Sequence, residues 1–192
     1  MKIDIDEIMK KHKVIISKGI KLNEQVKKGG YGYKRTLDII DNMIDIIEGL
    51  PENTKVNVDA CIIAGYWLDV GVDKSKEHPE KVSADKLSEE LAKENYDKKF
   101  IKLCYDAIIY HRWNMLPSTV EGQLVKDADK ISFIGVERWK ECIEKKQKID
   151  LTMKLLATLR NQMLHFNISK QIYDEKIVDL VQFLYNYIYE EQ

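Results

Sequence analysis

The sequence has few residues that interrupt helices. It contains only nine glycines and three prolines among 192 residues. That scarcity argues against collagen-like, low-complexity and turn-rich β architectures. Cysteine is equally sparse. Cys61, Cys104 and Cys142 are odd in number and widely spaced, with no CxxC pair. A disulfide scaffold and a thiolate zinc site are both disfavoured, and a reducing compartment is expected. Charge of one sign is missing too: 31 basic against 32 acidic side chains leave a net −1. A general polyanion binder carries a basic excess, so no nucleic-acid partner is expected. Hydrophobic residues make up 44% of the chain, too many for a disordered one. The longest apolar run, Ala60 to Leu68, cannot cross a bilayer. The first residues mix acids with apolar side chains and show no signal-peptide core. These absences together predict a cytoplasmic protein with no membrane partner.

What is abundant is helical periodicity. Leu37, Ile40, Ile44 and Ile47, widened by Met43, form one stripe, and Gly49 and Pro51 end it. Val58, Ile62, Gly65, Tyr66 and Asp69 form the next, with Gly71 as a stop. Pro79 opens a third helix carrying Val82, Leu87 and Leu91. Ile101, Cys104, Ala107, Ile108 and His111 share a face between Phe100 and Pro117. Val120, Leu124, Asp127, Ile131 and Ile134 follow. Two helical stretches close the chain, the last over Tyr173–Glu190 with Ile177, Leu180, Val181, Leu184 and Ile188 inward. No segment alternates as a strand. The expectation is an all-α bundle of seven or eight helices in one domain, 1–192.

Charge is uneven along this bundle. Residues 1–35 carry nine Lys and Arg35 against four acids, a net of +6, whereas residues 171–192 carry a net of −4. Lys27, Lys28, Lys34 and Arg35 flank a Gly-Gly-Tyr-Gly run, but its spacing is not that of a nucleotide loop. Tyr31, Tyr33, Tyr66, Tyr110 and Trp113 are expected mainly in packing, with lining of a pocket mouth as the alternative. The run Phe183, Tyr185, Tyr187 and Tyr189 sits on acidic sequence, which suits a homo-oligomer face better than a base-stacking platform. His12 and His165 have no ligand-spaced neighbours and read as surface or core, His165 at the C-terminal end of a helical stretch.

The informative residues are polar ones on apolar faces. Asp69 follows Tyr66 by three residues and Ile62 by seven, so it points inward with them. Asp127 follows Leu124 by three and Val120 by seven, and His111 follows Cys104 by seven. A buried carboxylate needs a cation or a set of donors. Two such acids with an imidazole suggest a metal site or an internal ion-pair network.

These segments resemble the HD-domain superfamily of metal-dependent phosphohydrolases, over about 33–135, with 136–192 as helices packed upon it. Leu68-Asp69-Val70-Gly71 is similar to that family's His-Asp segment, His78 and Ala107–His111 to its later histidines, and Glu121–Lys130 to its late-Asp segment. The resemblance implies Asp69 and Asp127 as catalytic carboxylates and Asp69, His78, His111 and Asp127 as metal ligands. It assigns Arg35 and Lys130 to substrate. Two motif histidines are absent, however. Arg35 stands near the first and Leu68 at the second. Neither side chain can coordinate a metal.

Two readings follow. In one, Arg35 answers Asp69 or Asp127 in place of the ion, and the chain is a binding or regulatory module without a metal. In the other, Asp69, His78 and His111 hold one divalent ion (Mn, Fe, Ni, Mg or Zn) and hydrolyse a nucleotide or small phosphate ester. Oxygen-linked redox chemistry at that two-His, one-carboxylate set is a third, more distant reading.

Overall fold

The structure, a computed structural model, describes residues 2–145, 156 and 158–190. Helices α1 (Ile5–Lys11) and α2 (Lys13–Asn23) are followed by α3 (Tyr33–Glu48), α4 (Val58–Trp67), α5 (Pro79–Lys93) and α6 (Lys98–Ile109). Then come α7 (Val120–Ile131), a 3₁₀ turn (Ser132–Ile134), α8 (Val136–Glu144), a π turn (Leu159–Met163) and the long α9 (Asn167–Glu190). The described residues contain no strand, so the expected all-α bundle is what forms. None of their helices is long and apolar enough to cross a membrane. The first of the two closing helical stretches, between Ile134 and Tyr173, includes α8 and the π turn, and 146–155 lie outside the described residues.

Helix starts follow local chemistry. Asp4, Asn57, Asp97 and Thr119 each accept a first-turn N–H through their side chains, and Pro79 sits in the first turn of α5. Two helices occupy the centre. In α4 every residue from Ala60 to Trp67 is buried, and in α7 Gly122 and every residue from Leu124 to Ile131 is buried. A helix buried on all sides has no solvent stripe. Around this pair pack α3, α6, α2 and α5. The first half of α9 lies over α7 and α3, where Lys176 reaches Asn42 Oδ1 at 2.5 Å and Asp38 Oδ1 at 3.2 Å.

The structure adds two N-terminal helices to the expected set and corrects several positions. The lysine-rich N-terminus forms α1 and α2, which bury Ile8, Ile15 and Ile16 against α4. Their spacing of seven and eight residues was a helical stripe obscured by the flanking charge. Leu37 is 40% exposed, at the edge of a buried face that holds the expected Ile40, Met43 and Ile47 and widens to Arg35, Ile39 and Ile46. On α9, Leu180 is buried, but Val181 and Ile188 face out. His111 lies just beyond the end of α6, and Ile134 lies in the 3₁₀ turn.

Candidate functional site: a buried ion-pair cluster

The site forms where the start of α3, the end of α4 and the end of α7 meet. Arg35, one turn into α3, is almost fully buried. Its Nη1 donates to Asp69 Oδ1 at 2.6 Å, and its Nη2 donates to Asp129 Oδ1. Asp129 is held on its other oxygen by the Lys130 ammonium. Asp69 accepts a second bond, at 3.2 Å, from the Gly32 N–H. Gly32 has φ +90, and a Cβ there would lie 2.9 Å from the Asn23 carbonyl oxygen. Only glycine fits that turn without strain. The Gly-Gly-Tyr-Gly run therefore delivers a backbone donor to a carboxylate.

Aromatic rings enclose the charges. The Arg35 guanidinium lies 5.2 Å from the Tyr31 ring and 5.1 Å from Phe133. Lys130 Nζ lies 4.6 Å from Trp113. Arg138, from α8, stacks 4.2 Å from Phe133 and 4.8 Å from Tyr31 and donates to the Gly30 carbonyl. These contacts give the cations favourable faces in place of water.

The electrostatics follow from this packing. Burial alone would raise the Asp129 carboxyl, but Lys130 and Arg35 outweigh it, and the group titrates well below the ordinary range. Burial opposes the charge on Arg35 as well, and Asp69 and Asp129 more than restore it. Arg138 loses proton affinity through burial and through its neighbour Arg35. Counting Arg35, Lys130 and Arg138 against Asp69 and Asp129, the cluster carries one positive charge in excess.

The remaining candidate residues are dispersed. Asp127 is fully buried, yet it faces α9 and not Arg35. Its oxygens accept the His165 N–H at 3.0 and 2.9 Å, the Phe166 N–H at 3.1 Å and His165 Nδ1 at 2.7 Å. Of the two expected partners of Arg35, Asp69 is the one it meets and Asp127 is not; the second carboxylate on the pocket side is Asp129, which sequence reasoning missed. His165 lies in the short connection between the π turn that ends at Met163 and α9. The His78 side chain is 64% exposed, with Nδ1 3.4 Å from Glu80 Oε1. Glu80 in turn pairs with Arg112 at 3.0 Å. Lys130 is 1% exposed, so its ammonium is committed to Asp129 and does not reach out to a ligand. His111 lies within electrostatic reach of Asp129 and Lys130, donates through Nδ1 to the Ile108 carbonyl, and is held toward its neutral form chiefly by burial. His12 is buried, with Nδ1 bonded to the Tyr96 hydroxyl at 2.6 Å and Nε2 lying 3.0 Å from Asp59 Oδ2.

A metal ion does not fit this donor set. Among the described residues no group of three or more His, Cys, Asp or Glu side chains is placed to hold one. The buried Leu68 offers no donor, and Arg35 already fills the space between Asp69 and Asp129.

No family model and no curated protein matches the chain. A solved structure does. A predicted HD superfamily hydrolase from an uncultured Thermotogales bacterium aligns with a TM-score of 0.70, covering 99% of this chain and all of that one at 16% identity. This protein therefore shares the all-α fold of that structure.

Proposed function

We propose that this chain is an HD-fold module in which an internal ion-pair cluster takes the place of a metal centre. It binds a small phosphorylated molecule and does not hydrolyse it. The observation that carries this reading is the buried Arg35 guanidinium, shared between Asp69 and Asp129. A guanidinium cannot lose its proton to become a ligand, and its planar fork satisfies two carboxylates at once. The excess positive charge supports an anionic ligand. Arg138 supplies it, since its partners named above are a carbonyl and two rings. The competing reading, a one-metal phosphohydrolase built on Asp69, His78 and His111, requires His78 to turn in from the surface.

The test combines elemental analysis of protein purified without chelator with hydrolysis assays on a broad phosphoester panel in Mn²⁺, Mg²⁺, Zn²⁺, Ni²⁺ and Fe²⁺. Substoichiometric metal and no turnover are expected. One equivalent of a divalent ion, lost together with activity in His111→Ala, would establish the competing reading.

A further inference from the structure

Helix α9 has two apolar faces, and the described residues cover one of them. Ile172, Tyr173 and Leu180 are buried in the core, and Ile177, Phe183 and Leu184 pack against it. The opposite face carries Val178, Val181, Tyr185, Ile188 and Tyr189, which are 63%, 60%, 56%, 56% and 62% exposed. A singly exposed Val or Tyr is ordinary, but five on one helix are not. Val178, Val181, Tyr185 and Ile188 are spaced three, four and three residues apart, the a/d rhythm of a two-helix seam. The ten residues from Leu180 to Tyr189 include no charged side chain, while Asp179 and Glu190 stand on either side. The Tyr185 and Tyr189 rings already stack on each other at 4.4 Å.

We propose that this face pairs with the same face of a second copy, the two α9 helices running antiparallel about a two-fold axis. The axis lies midway between Val181 and Tyr185. Val178 of one copy then meets Ile188 of the other, and Val181 meets Tyr185, each contact occurring twice. Side-chain size selects this direction. A parallel, in-register pair would instead set Val181 against Val181 and Tyr185 against Tyr185. The antiparallel pair sets the small Val181 against the large Tyr185 and leaves no residue of this face against its own copy. With 150–250 Å² per aromatic side chain as a guide, the five half-exposed residues offer on the order of 500 Å² per copy. The pair therefore buries about 1,000 Å², the lower bound of a specific interface. An isologous contact of this kind closes at two copies.

Light scattering coupled to size exclusion at tens of micromolar protein should give the mass of a dimer. Val181→Glu should give a monomer with unchanged helical circular dichroism, because Val181 has no role in the core. Disulfide trapping reads the direction. A mixture of Val181→Cys and Tyr185→Cys proteins should cross-link, whereas Val181→Cys alone should not. A monomeric wild type would overturn the proposal and leave the face to another occupant. A dimer that survives Val181→Glu, or a Val181→Cys self-cross-link, would equally overturn it.

Discussion

Asp127 and Asp129 lie two residues apart on one buried helix, and their charges are answered in different ways. Asp129 is neutralised by cations, Arg35 on one oxygen and Lys130 on the other. Asp127 is answered mainly by hydrogen-bond donors, the His165 and Phe166 N–H groups and the His165 ring. The first arrangement joins three helices through charge in a low-dielectric pocket, where losing one partner leaves the others stranded. The second caps the entry to α9 from a neighbouring helix, and its loss is local. A carboxylate buried by the same helix can thus serve either as the anion of an electrostatic cluster or as a clamp on backbone.

The largest effect expected from this contrast is that of Arg35→Met, which strands Asp69 and Asp129. It should cost about 3–5 kcal/mol in urea denaturation, as breaking a buried ion pair does. Lys130→Met should cost less, because Arg35 still holds Asp129. Asp127→Asn keeps one acceptor oxygen and should cost about 1–3 kcal/mol. Its signature is faster hydrogen exchange at the amides of His165 and Phe166, with protection around Arg35 unchanged. Equal losses in both regions would erase the distinction between cluster and clamp.

The pH response sharpens it further. His111 titrates below its ordinary 6.5 when folded, chiefly through burial. Such a group favours the folded state fully above the unfolded pKa, and that contribution is lost as pH falls. Stability should therefore begin to decline below about pH 6.5, where unfolded His111 binds protons and folded His111 does not. The depressed Asp129 adds a second decline below the unfolded carboxylate range. His111→Gln should flatten the first decline and spare the second, as read from denaturation midpoints between about pH 7 and 3. An unchanged profile would show that His111 is not the group responsible.

The sequence carried much of this, and where it failed the reasons are physical. Helical spacing placed Asp69 and Asp127 inward, and both are buried. Spacing could not place Asp129, because two residues are about 200° of helix, and the count set it on the polar side. That count assumes an amphipathic helix, whereas α7 is buried on every side from Leu124 to Ile131. His165, the partner of Asp127, lies 38 residues away, a separation that no local pattern reports. The burial of Arg35 was suggested only by the family resemblance, since an arginine beside three lysines otherwise reads as surface. On α9 the apolar positions were legible as a set, but their division into a covered and an uncovered face required the fold.

The central claim is that Arg35 is the cation that answers the two pocket carboxylates. A mutant cycle measures this coupling directly, comparing the cost of Arg35→Met in the native background with its cost in the Asp69→Asn/Asp129→Asn background. The account predicts a loss of several kcal/mol in the first and a much smaller loss in the second. Equal losses in both would mean that Arg35 contributes packing alone, and would contradict it.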